Sequence, residues 1–160
     1  MENERRDVLR AAMAGAAGMI GVELAATATA KAQSGPPQPK FIQHEPPRNY
    51  AKACVYGNFI FLAGEDSKDP KTREVRGRTC EEQTEFLFQN MQATLEGLGS
   101  SLAHVVKMTA MLKDLRDQPG YSKAKLKYLP HRPPSTSFGG AQLSDPQILI
   151  EIEAIAVIPG

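Results

Sequence analysis

The apolar residues repeat with a period of two in some blocks of the chain and a period near 3.6 in others. Residues 50–56 alternate small and larger side chains, residues 59–63 form a short apolar run, and Gly57-Asn58 lies between them. A Gly/Asn junction admits the positive φ of a tight turn, so the two runs are predicted to pair as a β-hairpin. Residues 66–77 are charged and contain Asp69-Pro70, the composition of a loop with room for one short strand at 74–76. Thr79 and Glu82 then stand at the spacing of a capping box: the threonine hydroxyl accepts from a backbone N–H and the glutamate reaches back. Behind them Phe86, Leu87, Met91, Leu95 and Leu98 recur at helical spacing as far as Gly99. Residues 104–112 read as a strand. Pro119 suits the first turn of a second helix reaching about Leu129, with Tyr121, Leu126 and Leu129 facing inward. A proline-stiffened loop at 131–134 leads to a strand at 135–141, where Gly139-Gly140 either weaken it or admit another backbone. Residues 148–158 form the strongest strand, with Ile148, Ile150, Ile152, Ala154 and Ala156 alternating against Leu149, Glu151, Glu153, Ile155 and Val157.

Strands interleaved with two helices predict an α+β domain in two layers, the helices on one face of a mixed sheet. The last strand carries Leu149, Ile155 and Val157 beside its glutamates on the second face. A half-apolar second face in a small domain predicts burial against another copy of the chain.

The first 47 residues follow neither period. Arg5-Arg6 with Leu9 beyond, an Ala- and Gly-rich run at 11–22, and Ala28, Ala30 and Ala32 at small-x-small spacing resemble a twin-arginine export signal with its peptidase site. Val8 stands where an aromatic is usual and Glu23 interrupts the apolar run, so the competing reading is an Ala-rich helix of the fold. Residues 1–32 are expected to address the chain to the periplasm or otherwise outside the cytoplasm. Residues 33–47, with Pro36, Pro37, Pro39, Pro46 and Pro47, are expected to be an extended leader, and residues 48–160 the folded domain. With 160 residues, 19 Lys+Arg and 18 Asp+Glu, the chain fits one domain and lacks the dense basic patch that nucleic acid needs. No strongly apolar run of about 18 residues occurs, so no membrane span is expected. Cys54 and Cys80 are too few for a disulfide framework, and whether they are oxidised stays open. His44 and His104 have no partners at metal-ligand spacing, so neither metal nor cofactor is expected.

Certain residues carry a resemblance. They are Tyr50; the run Tyr56-Gly57-Asn58-Phe59-Ile60-Phe61-Leu62-Ala63-Gly64; Gln83 and Asn90 on the first helix; Val106-Lys107 and Lys113-Asp114-Leu115 around the third strand; and Glu151-Ile152-Glu153-Ala154-Ile155-Ala156. Together they resemble the RidA/YjgF family, also called L-PSP-type proteins. The resemblance implies a chorismate-mutase-like α+β fold assembled as a homotrimer, with clefts between subunits that bind small carboxylates. It implies hydrolysis of reactive imines and enamines, such as 2-iminopropanoate, to the keto acid and ammonia. It also implies that Tyr50, the Ala63-Gly64 backbone and Ser135, Thr136 and Ser137 position the substrate, and that Glu151 orients or activates water.

That family grips the substrate carboxylate with an arginine at the start of the penultimate strand, where a planar guanidinium fork matches two carboxylate oxygens. Here Pro133-Pro134-Ser135-Thr136-Ser137 puts Ser135 in its place, and Ser122 and Lys125 stand where Asn and Tyr are common. His131 and Arg132 are candidate substitutes for the missing cation, against a plain loop role. Glu151 and Glu153 are either a working carboxylate pair or a polar interface, and Tyr50 either meets a ligand or is a half-buried strand aromatic. Two functions stay open: a deaminase with an altered carboxylate grip, and a trimer that binds small metabolites without chemistry. Ribonuclease activity, which the older family name points to, fits poorly with near-neutral charge and export.

Overall fold

The structure, a computed structural model, describes residues 35–160, so the expected export signal at 1–32 lies outside the described residues. Gly57 takes φ +61° and with Asn58 closes a two-residue turn between β2 (Ala53–Tyr56) and β3 (Phe59–Glu65). Without a Cβ, glycine enters that region at little cost. The strand starts at Ala53, later than the sequence pattern indicates, and Tyr50 sits in a bend ahead of it. β1 (Lys40–Ile42) pairs antiparallel with β2. It lies inside the proline-rich stretch, which is extended as its prolines require. Lys40, Phe41 and Ile42 fall between those prolines, so they join the sheet instead of trailing free.

Three further strands complete the sheet: β4 (Val105–Leu112), β5 (Ser135–Phe138) and β6 (Ile150–Val157). The order is β1-β2-β3-β6-β4-β5, antiparallel throughout except for β4 and β5. The helices are α1 (Cys80–Gly97) and α2 (Gln118–Tyr128), and α2 is the crossover that makes β4 and β5 parallel. This is the α+β two-layer sandwich that the sequence predicts, a mixed sheet with two helices on one face.

The capping box forms at the start of α1: Thr79 Oγ1 accepts from Glu82 N–H, and the Glu82 carboxylate accepts from the N–H groups of Arg78 and Thr79. At the other end Gly99, with φ +78°, turns the chain so that Gly99 and Ser100 donate back to the carbonyls of Glu96 and Leu95. The buried stripe of α1 runs through Gln83, Thr84, Leu87, Phe88, Met91 and Leu95. Phe88, not Phe86, enters the core and stacks on Tyr128 of α2, with centroids 5.5 Å apart. Phe86 is half-buried under the Arg76 guanidinium, 3.9 Å above its ring. On α2, Tyr121 and Ala124 face inward, but Leu126 is 49 % exposed, contrary to the sequence expectation. Five residues carry it about 140° round the helix from Tyr121. Inward-facing Ile60, Met108, Leu112, Ile150 and Ile152 meet this helical layer, and each fully buried large side chain contributes about 1.5–3 kcal/mol.

β5 stops at Phe138, short of the expected 141, because Gly139 admits the backbone of Leu115: a Cβ there would lie 2.8 Å from Leu115 N. The short strand expected at 74–76 is reduced to one bridge between Lys68 and Val75. The second face of the sheet stays open. Phe41, Tyr56, Phe59, Phe61 and Phe138 lie there, each at least 43 % exposed. Cys54 is on that face and Cys80 is in the core on the other, so the sheet separates two free thiols. Burial pushes the Cys80 thiol up to about 11.

Candidate functional site

The site begins with an irregularity in β3. Its register against β6 shifts between Leu62, opposite Ala154, and Glu65, opposite Ile152. Ala63 and Gly64 are thereby crowded into a bulge, the device that re-aims side chains at the end of a strand. A Cβ built on Gly64 would fall on the Glu151 carboxylate, so glycine is what lets that carboxylate lie against the β3 backbone. Glu151 points away from the helical layer, because its neighbours Ile150 and Ile152 point into it. Burial is the main force raising its pKa above the ordinary carboxylate value, Asp66 adds repulsion, and Lys68 offsets part of both.

Glu151 and Gly64 open onto a cleft of about 1110 Å³. Its walls are the 42–52 segment, the end of β3, the loop after it and one edge of α1. Tyr50 lines it, 47 % exposed and not half-buried in a strand; Arg48 Nη1 donates to its hydroxyl at 2.8 Å and the edge of His44 meets its ring. Burial first, then the charges of Arg48, Lys52 and Arg73, hold His44 below its ordinary pKa. The loop on the far side is braced by two amides of α1. Asn90 Nδ2 donates to the carbonyls of Asp66 and Lys68 at 3.1 and 2.9 Å. Gln83 donates to the carbonyls of Gly77 and Gln147 and accepts from Leu149 N–H. Gln83 and Asn90 therefore shape the cleft without being reactive groups in it.

Glu65 is the cleft residue that sequence reasoning missed. It lines the same wall, accepts from Thr94 Oγ1 at 3.4 Å, and burial raises its pKa against the pull of Lys52. Its adjacency to Gly64 was the available signal, but nothing local told which way the bulge turns it.

The remaining predicted residues lie elsewhere. Ala63 is next to the cleft but does not line it. Ser135, Thr136 and Ser137 are on β5, at the edge of the sheet and outside the cleft. Ser135 is level with Met108 of β4 whereas Glu151 is level with Met111, so they stand two strands and three positions apart. Glu153 is level with Thr109, exposed on the open face. His131 is tied by Nε2 to the Val105 carbonyl at 3.0 Å, and Arg132 is an exposed loop residue with φ 54°. Neither reaches Ser135. Two lysines do reach this strand: Lys125 of α2 donates to Ser135 Oγ, and Lys107 of β4 donates to Thr136 Oγ1 at 3.2 Å.

The comparisons with known proteins agree with this arrangement. A family model described as endoribonuclease L-PSP matches residues 42–158. A RutC family protein of Pyrococcus abyssi is 38% identical over 107 residues, 67% of this chain and 84% of that protein. The chloroplastic Reactive Intermediate Deaminase A of Arabidopsis thaliana is 33% identical over 109 residues, 68% of this chain and 58% of its own length. The crystal structure of a Thermotoga maritima protein described as a candidate endoribonuclease superposes with a TM-score of 0.66 at 38% identity, covering 71% of this chain and 89% of that one. The matched stretch holds the whole sheet from Ile42, both helices and the cleft, and the chain belongs to the endoribonuclease L-PSP family, the RidA/YjgF proteins.

Proposed function

We propose that this protein hydrolyses small reactive imines or enamines, such as 2-imino acids, to the keto acid and ammonia at a cleft completed by a neighbouring subunit. The observation that carries the proposal is the Glu151 carboxylate laid against Gly64 in the cleft, its proton affinity raised by burial. A carboxyl group tuned upward works as general acid and base nearer neutral pH than an exposed one. In the reaction, Glu151 takes a proton from water as the water oxygen adds to the imine carbon, and passes that proton to the imine nitrogen. Glu151 then takes the hydroxyl proton of the resulting aminoalcohol and delivers it to the nitrogen, so that the carbonyl forms, the carbon–nitrogen bond breaks and ammonia leaves. Imine plus water gives keto acid plus ammonia, with nothing else consumed. Tyr50 and the bulge backbone position the substrate, and the chemistry named for the Arabidopsis relative supports the same reading. As part of this proposal the chain works outside the cytoplasm, on the strength of Arg5-Arg6 and the segment behind them.

The test generates imines from several amino acids with an amino-acid oxidase and follows keto acid or ammonia above the spontaneous rate. Wild type is expected to accelerate release, and Glu151→Gln to lose about a hundredfold or more. A wild-type rate equal to the spontaneous one would overturn the reading. Ser135 in place of the family arginine favours a second reading, a trimer that binds small carboxylates without turning them over. Its mark would be ligand-dependent thermal stabilisation with no ammonia released.

A further inference from the structure

We propose that Ser135 and Lys125 form a nucleophile–base pair at the edge strand β5, with the Tyr121 phenol beside them, that hydrolyses small carboxylic esters. This activity is separate from imine hydrolysis and uses neither Glu151 nor the cleft.

The crossover helix brings the pair together. Tyr121 and Lys125 are four residues apart on α2, so they share one face of it. Lys125 Nζ is hydrogen-bonded to Ser135 Oγ and lies 5.8 Å from the centre of the Tyr121 ring. A serine hydroxyl is a weak nucleophile unless a base touches it. An amine is such a base only when neutral, and the surroundings of Lys125 favour that form. Lys123 and Lys127 on the same helix are ion-paired to Glu81 and Glu85 of α1. Lys125 has no carboxylate within ion-pair distance among the described residues. Burial first, then the charge of Lys107, lowers its pKa.

Two further features suit the pair to acyl transfer. Tyr121 is 2 % exposed, and its hydroxyl, next to Ser135 but outside hydrogen-bonding geometry, has no partner. Burial pushes its pKa up to about 12, so it stays protonated as a donor beside Ser135 Oγ. A buried hydroxyl left unpaired is costly, and a small shift of Ser135 satisfies it. The second feature is the open edge: β5 pairs with β4 alone. Met108 is level with Ser135 and donates to the Pro134 carbonyl. In a parallel ladder each residue bonds to the two neighbours of the residue opposite, so the N–H of Ser135 itself points to the open edge. This N–H is the available oxyanion donor for a carbonyl attacked by Ser135 Oγ. Ser135 is exposed there, which suits a short acyl group.

In the reaction, Ser135 Oγ forms a bond to the ester carbonyl carbon and its proton passes to the neutral Lys125 amine. The bond to the leaving alcohol oxygen breaks, and that oxygen takes the proton from Lys125. Water then adds to the acyl-serine and gives a proton to Lys125. The bond to Ser135 Oγ breaks, and Lys125 returns the proton to that oxygen. Ester plus water gives acid plus alcohol, with nothing else consumed.

The experiment treats the full chain with a fluorophosphonate probe and identifies the labelled residue by peptide mass. Wild type is expected to be labelled at Ser135 and to hydrolyse p-nitrophenyl acetate above the buffer rate. Ser135→Ala changes an exposed side chain, keeps the fold by circular dichroism, and is expected to lose both. Lys125→Met and Lys125→Arg are expected to slow labelling about a hundredfold or more, since methionine is no base and arginine keeps its proton. Lys123→Met, which breaks an ion pair on the same helix, is expected to label like wild type. Tyr121→Phe keeps the ring in the core and is expected to lower kcat for the ester about tenfold with KM unchanged. No labelling of wild type, labelling that persists in Ser135→Ala, or a rate indifferent to Lys125→Arg overturns the pair. No imine enters this assay, so its failure leaves the proposed function untouched, and a chain that hydrolyses esters but no imine leaves the pair standing.

Discussion

The place of the Glu151 carboxylate, the group to which we assign the proton transfers, depends on Gly64. Any side chain at 64 competes with the Glu151 carboxylate for the same space. Gly64→Ala is expected to fold normally and to lose about a hundredfold in kcat/KM, the size of effect that follows from displacing a reacting group by about an ångström. A near-wild-type rate in that variant would show that Glu151 acts from some other position. Glu65 makes a separate prediction through stability. Burial raises its pKa in the folded chain above the ordinary value of 4.5, so the folded state holds the proton more tightly than the unfolded state does. Stability contributed by this group therefore falls as pH rises from the ordinary value through the raised one, and above both the penalty is constant. Glu65→Gln removes the penalty while its amide oxygen still accepts from Thr94. Its melting temperature is expected to exceed that of wild type by a few degrees at pH 8 and to converge with it near pH 4. An offset that stays the same across that range would mean that the charge of Glu65 is not what matters.

Elements were written in the sequence where a local rule fixes them. The capping box at Thr79 and Glu82 is read from two residues three apart, and the structure closes both of its hydrogen bonds. Thr79→Ala is expected to cost about 1 kcal/mol, measured by chemical denaturation, with activity unchanged at saturating substrate. The hairpin at Gly57-Asn58 and the alternation of β6 were legible for the same reason, since turn chemistry and period are properties of neighbours. Errors arose where distant contacts choose between equivalents. Phe86 and Phe88 are equally apolar, and it is Phe88, in phase with Thr84, Met91 and Leu95, that enters the core and stacks on Tyr128 of the other helix. Leu126 is apolar but off the helical phase of Tyr121, and no local feature makes up for that. β1 was hidden because prolines on both sides gave the stretch the composition of a leader, while its pairing partner lies beyond the next turn. The candidate site divides in the same way. Gly64 and Glu151 were found through a resemblance, each within a short run of adjacent residues, 56–64 and 151–156. Glu65, Lys107 and Lys125 reach their places through the bulge, the sheet register and the crossover helix, none of which is a property of adjacent residues.

At the scale of the whole molecule, the open face of the sheet sets the expected assembly. Phe59 and Phe61 of β3 stand beside Tyr56 and Cys54 of β2 on one side and Val157 and Ile155 of β6 on the other. Phe41 and Phe138 extend the apolar surface toward both edges. A contiguous patch of aromatic rings on the flat face of a sheet is not left to water in a stable monomer. The same face carries Glu151 at one end, and β5 with its lysines lies along the edge. In the proposed trimer, packing that face against copies of itself would put the cleft and the edge strand at the boundary between subunits; within one chain Tyr50 and Ser135 stand apart. Phe61 is the residue to test, since it is central to the patch, half-exposed in the chain and not among the residues that line the cleft. Phe61→Asp puts a charge into the middle of any such interface but leaves the core and Glu151 untouched. Sedimentation is expected to show a trimer for wild type and a monomer for the variant, with secondary structure retained. Imine hydrolysis is expected to disappear with the trimer although every residue of the cleft is intact, because the neighbouring subunit no longer closes it. A monomeric Phe61→Asp with full activity would confine the working site to one chain and separate catalysis from assembly.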